Sequence, residues 1–247
     1  MNLVKIIFCI FVLSISQFAC DENSETITDE QLGLNYAPIA IGNYWEYQVD
    51  SIQYDTFKRI IIDTVSFLMR EEIVDSFRNS AGELIFRADV SSRVSESEAW
   101  RLINTTFFTK NRERMVKTEN GLNFIKLVFP VQRFYSWDGN TMINPQTAIT
   151  VKGEELKPFE AWSYYYKEVQ TSETLLNKQY QDVITVEEVN EDLAFNRRYS
   201  VAKYARNVGL IYKEQWILNT QSQDISKKWE EKAQSGFILK FILIRNG

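Results

Sequence analysis

The chain has no histidine among its 247 residues. That excludes Ser-His-Asp and Cys-His catalysis, and His-ligated zinc or iron. Carboxylates remain as a source of acid–base chemistry. Glycoside hydrolysis needs two of them about 5–9 Å apart across a cleft. Glu71-Glu72 and Glu187-Glu188 are adjacent pairs. Strand neighbours point to opposite faces, so neither pair converges on one bond. A long-range pair is invisible at this level, and solvation at the surface is the simpler role. Ser200-Val201-Ala202-Lys203 matches the SxxK nucleophile pattern. That pattern needs a helix to return the lysine to the serine, and this stretch reads as strand. Asp138-Gly139-Asn140 is only a fragment of a calcium loop, and a tight turn accounts for it better. No GxGxxG, Walker loop or GxSxG is present. The chain is therefore expected to carry no catalytic residue, no metal and no cofactor.

Aromatic residues are the one excess, at 14% of the chain with six Trp. In Trp162-Ser163-Tyr164-Tyr165-Tyr166, a strand puts Trp162, Tyr164 and Tyr166 on one face. Such a face can stack on sugars or accept a lipid chain. The alternative is that β cores are themselves rich in aromatics. Exposure decides between them, and sequence does not give exposure.

The N-terminus has three parts. Met1 to Lys5 carries one positive charge, Ile6 to Ile15 is uncharged and apolar, and Ser16-Gln17-Phe18-Ala19 leads to Cys20. This is the order of a secretory signal. A spanning helix needs about 20 apolar residues, and Lys5 and Gln17 interrupt any such run. Ser16 to Cys20 resembles a bacterial lipobox, with Gln17 and Phe18 departing from the usual pattern. Cys9 lies in the apolar run, so after cleavage Cys20 is the one thiol left. Exported proteins normally use cysteines in pairs. Acylation gives Cys20 a purpose, and two or more chains, palmitate among them, make a firm anchor.

Cleavage before Cys20 removes Lys5 and takes the net charge from −5 to −6. An acidic surface argues against nucleic acid as partner. Asp21 to Asn35 holds five carboxylates, no Lys or Arg and no aromatics. Residues 20–35 therefore read as the lipidated Cys and a flexible acidic tether. Residues 36–247 read as a single β-rich globular domain.

Period-two patterning dominates that domain. Trp45, Tyr47 and Val49 share one face of YWEYQV. Leu84, Phe86, Ala88 and Val90 share another, after the Asn79–Glu83 turn. Residues 59–74 make one long strand or two. Asn123 to Pro130 is a strand ended by proline. DVITVEEV and RRYSVAKYA flank a hairpin connection. GLIYKEQWIL places Leu210, Tyr212, Trp216 and Leu218 together. The final run, GFILKFILI, is apolar on both sides and so central or covered. Glu154–Tyr165 and Asp224–Gln234 could each hold a short helix. The fold class is mainly β: an antiparallel curved sheet, sandwich or open barrel with few short helices.

Pro38 to Tyr47 (PIAIGNYWEY) resembles the opening that follows the tether in many Bacteroidota outer-membrane lipoproteins. Gly121–Pro130, Ser136–Asn140 and Tyr204–Glu214 look like further blocks of one such uncharacterised family. The resemblance implies a lipid-anchored, β-rich envelope protein of the outer membrane, periplasmic or surface-exposed. It implies no activity. Three roles follow in order. The first is a non-catalytic accessory or assembly subunit with envelope protein partners. The second is a binding module for a lipid or glycan ligand on an aromatic-lined sheet. The third is a carboxylate-dependent hydrolase.

Overall fold

A computed structural model describes residues 27–55, 62–160 and 162–247. The expected signal peptide (1–19), Cys20 and the tether residues up to Thr26 lie outside the described residues. So do residues 56–61, where the long second strand was expected to begin.

Among the described residues fourteen strands follow one another: β1 (Tyr44–Tyr54), β2 (Ile62–Arg78), β3 (Leu84–Arg93), β4 (Arg101–Lys110), β5 (Arg114–Glu119), β6 (Leu122–Val128), β7 (Ser136–Trp137), β8 (Ile149–Val151), β9 (Glu154–Leu156), β10 (Tyr164–Leu175), β11 (Lys178–Asp192), β12 (Asn196–Ala205), β13 (Gly209–Asn219) and β14 (Ser235–Asn246). Twelve form one sheet, in the order β6-β5-β4-β3-β2-β1-β14-β13-β12-β11-β10-β7. Every pairing in it is antiparallel. β8 and β9 make a separate hairpin.

The sheet curls until its two edges almost meet. The Ile125 N–H on β6 donates to Gly139 O at 2.9 Å, just past β7. Trp137 Nε1–H donates to Ile125 O at 2.8 Å. Tyr166 of β10 bridges the remaining gap. Its hydroxyl donates to Val128 O at 2.6 Å and accepts from Val128 N–H at 3.1 Å. Side chains thus satisfy edge groups that a ladder would otherwise satisfy, which is how a nearly closed barrel protects its edge. The expected curved β architecture is the observed one, and β14 lies at its centre between β1 and β13.

Among the described residues two short α-helices accompany the strands, α1 (Asp29–Leu32) and α2 (Trp229–Lys232). The second falls inside the Asp224–Gln234 window. The helix expected over Glu154–Tyr165 is instead β9 and the start of β10, because Pro158 breaks the run and the aromatic residues pack as strand.

Residues 28–35, expected as part of a flexible tether, pack against the barrel instead. The chain packs from Thr28 rather than residue 36. A capping box closes α1: Gln31 N–H donates to Thr28 Oγ1 at 3.2 Å, and Thr28 N–H to Gln31 Oε1 at 2.7 Å. Leu32, Leu34 and Tyr36 are buried, so two leucines supply what the absent aromatics do not. Val131 N–H donates to Leu32 O and Asn207 N–H to Asn35 O. Lys110 Nζ donates to Ala37 O at 2.6 Å. Those partners lie after β6, in the β12–β13 turn and at the end of β4. Residues 28–39 therefore plug the barrel end where these strands finish. At the other end, the 138–163 excursion packs Ile143 and Phe159 on Phe124 of β6. Lys152 pairs with Asp63 there at 3.0 Å.

Candidate functional site

The barrel interior is aromatic at both ends and charged in the middle. Alternation delivers most of the charge. Met115, Lys117 and Glu119 share the inner face of β5, and Glu71 shares that of β2 with Met69 and Ile73. Two members arrive differently. In the β5–β6 register Met115 faces Leu127 and Val116 faces Ile125, so Lys126 is an extra residue. In the β11–β12 register Glu187 faces Val201 and Val189 faces Ser200, so Glu188 is also extra. A bulge re-aims a side chain, and here two bulges aim theirs at each other. Lys126 Nζ lies 3.2 Å from Glu188 Oε1, with both side chains at most 5% exposed.

The network is continuous. Lys117 Nζ is 2.8 Å from Glu71 and 3.0 Å from Glu119. Lys126 is 4.0 Å from Glu119. Thr106 donates to Glu71 at 2.9 Å and Ser200 to Glu188 at 2.6 Å. Buried charges persist when their remaining lone pairs are satisfied in this way. Lys213 of β13 borders the same layer.

The ionisation equilibria follow from this geometry. Burial pushes the Glu119 carboxyl up, but Lys117, Lys213 and Lys126 together hold it well below the usual carboxylate range. Burial also opposes ionised Glu188, and Lys126, Lys213 and the Ser200 hydroxyl outweigh it, so its value is lowered. Burial lowers Lys126, which Glu188 only partly offsets. The sign for stability is plain. A carboxylate with a lowered folded value contributes stability above its unfolded value, about 4.3 for Glu, and loses it as pH falls further. Urea midpoints are therefore expected to hold from neutral pH down to about 4.3 and then fall steeply. Glu188→Gln is expected to flatten that fall. An identical acid limb in the variant would remove Glu188 from this account.

The charged layer separates two spaces. One, of ≈ 60 Å³, lies under the plug between Tyr36, Trp45, Tyr47, Phe108 and Tyr204. It is large enough for a few water molecules. The other, of ≈ 310 Å³, lies beyond the layer. Phe124, Trp162, Phe237 and Leu239 wall it, and Glu119, Lys126 and Lys213 form its base.

The residues singled out in the sequence fall as follows. Trp162, Tyr164 and Tyr166 do share one packed aromatic row, but they are 7%, 0% and 0% exposed. Trp162 Nε1–H donates to Pro158 O, and Tyr164 O–H to Asn140 Oδ1 at 2.9 Å. Trp137 lies against both tyrosine rings, with centroids 5.8 and 4.8 Å away. The tyrosines are core; Trp162 alone reaches the larger pocket. Cys20 lies outside the described residues. The adjacent glutamates split as strand geometry requires. Glu71 and Glu188 face inward, while Glu72 pairs with Arg70, and Glu187 with Tyr165 and Lys167, on the outside. Sequence reading missed Lys117, Glu119, Lys126 and Lys213. Lys117 and Glu119 had a signal, two charges continuing the apolar face of Met115. The bulged pair had none. Among the described residues, no group of three or more acids and cysteines is placed to hold a metal ion.

No known family model matches this chain, and no curated protein is similar to it. A solved structure of a candidate lipoprotein from Parabacteroides distasonis is similar at TM-score 0.32 and 12% identity, over 86% of this chain and 98% of that one. Nothing about fold or function rests on a likeness of that degree.

Proposed function

We propose that this chain is a lipid-anchored cell-envelope protein whose barrel holds a small amphipathic molecule. The ≈ 310 Å³ pocket carries the reading, because its wall is apolar and its base is charged. Small-molecule sites start at about 300 Å³ and combine such walls with a few placed polar groups. The rings at this pocket are buried and leave little face free for stacking, which suits a chain better than a sugar.

The layout supports the anchor. Residues 28–39 plug one barrel end, and the seven residue steps from Cys20 to Ile27 reach at most about 25 Å. An acylated Cys20 would hold the plugged end toward the membrane and leave the larger pocket on the far side. Among the described residues no helix is long and apolar enough to cross a membrane. The outer barrel face carries Asp50, Arg70, Glu173, Lys203 and Glu214, whereas a membrane-spanning barrel faces lipid with apolar residues.

The charge pattern favours binding over hydrolysis. A glycosidase keeps one carboxyl protonated as general acid. Lysines hold Glu119 and Glu188 ionised instead. The accessory-subunit reading draws on a separate feature, the exposed Val94, Leu102 and Ile103 at the β3–β4 end. Cross-linking in native membranes that recovers no specific partner would count against it.

Two measurements test the main reading. Intact mass with palmitate labelling is expected to show acylated Cys20, with label lost in Cys20→Ala. Native mass spectrometry of the envelope-derived protein is expected to show a bound small molecule. An unacylated Cys20 removes the anchor, and a ligand-free protein that also takes up no amphiphile removes the binding role.

A further inference from the structure

Lys213 differs from the other lysines of the charged layer. Lys117 touches Glu71 and Glu119, and Lys126 touches Glu188. Lys213 makes no hydrogen bond and no ion pair among the described residues, although it borders both spaces of the interior. Lys213 is partly buried and acts on Glu119 and Glu188 only through space, so its N–H donors stay open to an acceptor from the pocket. Glu119, which lines the same pocket, is held directly by Lys117 at 3.0 Å. Phe237 and Leu239, which wall the pocket with Lys213, sit on the adjacent strand β14. The next inner position along β13 is Gln215, a neutral donor and acceptor. The base of the pocket thus offers ammonium donors that no acceptor among the described residues takes up, and its wall offers apolar surface.

We propose that Lys213 receives the acid head group of an anionic amphiphile whose apolar chain lies along Phe124, Trp162, Phe237 and Leu239. This deepens the binding role proposed above and rests on it. The pocket volume, at the lower end for small-molecule sites, suits a chain of medium length. Carboxylate and phosphate heads share the chemistry Lys213 needs, as acceptors of a charge-assisted hydrogen bond.

The test uses the full chain carrying Cys20→Ala, so that its own acyl groups do not compete. Decanoate, decyl phosphate, decanol and decyltrimethylammonium are titrated by calorimetry and by Trp fluorescence. One or both anions are expected to bind at least tenfold more tightly than decanol, and the cation not at all. The tighter anion identifies the head group. Lys213→Met is expected to bring the anions down to the affinity of decanol while leaving decanol unchanged. Lys213→Arg, which keeps the charge, is expected to retain most of the preference. Equal binding of decanol and the anions, or an unchanged preference in Lys213→Met, overturns the assignment of Lys213 and leaves the binding role standing. Failure of all four probes overturns both. A decanol affinity that falls together with the anions in Lys213→Met means a collapsed pocket. The Lys213→Arg result then decides, and loss of the anion preference there, with decanol still bound, overturns the assignment.

Discussion

Lys126→Met is expected to lower unfolding stability by about 3–5 kcal/mol, the cost of leaving a buried charge without its partner. For a chain of this size that is a fall in Tm of about 10 °C. Glu188 would be left at the centre of the barrel with only the Ser200 hydroxyl at 2.6 Å and Lys213 to offset its burial. Glu188→Gln removes the charge and keeps an oxygen for Ser200. The double variant Lys126→Met/Glu188→Gln is therefore expected to regain at least half of the loss. Chemical denaturation of the two single variants and the double variant gives the coupling directly. Additive losses would mean that the pair is not coupled, and the charged layer would then be two separate contacts rather than one network. Added salt is expected to change these differences little, since the pair is buried.

The same pair shows where sequence reading stops. Strict alternation on β1 put Trp45, Tyr47 and Val49 on one face, and all three are buried in the main core. It also separated Glu71 from Glu72 correctly, and Glu187 and Glu188 point apart as expected even though a register break follows Glu187. Alternation works while register is unbroken. A bulge breaks it without leaving a mark in composition. On β13, the register skips Ile211, so Leu210 lines the inner space while Tyr212 stands outside beside Glu214. Those two were expected to share a face. Lys126 and Glu188 owe their meeting to two more bulges, on strands far apart in the chain. The plug was hidden for another reason. Residues 21–35 look acidic and unable to order, and the capping box and Leu32 gain their value only from the barrel end beneath them. The aromatic row was legible as a row. Its burial depends on how far the sheet curls, which only the closure through Tyr166 and Trp137 sets.

Gly236→Ala is expected to be the most damaging single methyl in the barrel, with a loss above about 4 kcal/mol or no folded protein. Gly236 lies in β14 between Tyr54 of β1 and Leu218 of β13, so neither neighbour can move aside without opening the sheet. Its φ is +113°, outside the range of L side chains. A Cβ there would overlap the Ile217 carbonyl oxygen, and it would sit 2.9 Å from the carbonyl carbon and 3.0 Å from Leu218 Cα. These are backbone atoms and have no alternative rotamer. The pairing of β13 with β14 would part first, and with it the small outer core that holds α2: Tyr54, Leu218, Trp229, Ala233 and Ile238. Hydrogen exchange is expected to accelerate at Leu218 and Asn219 before it does anywhere on β5 or β6. Gly82→Ala is the control. Gly82 also has positive φ, +80°, but nothing lies within 4 Å of its added Cβ. Its substitution isolates the backbone cost, about 1–2 kcal/mol. If the two variants unfold at the same denaturant concentration, the crowding at Gly236 is relieved by a small shift of β13. The junction of β13 and β14 is then softer than its register suggests.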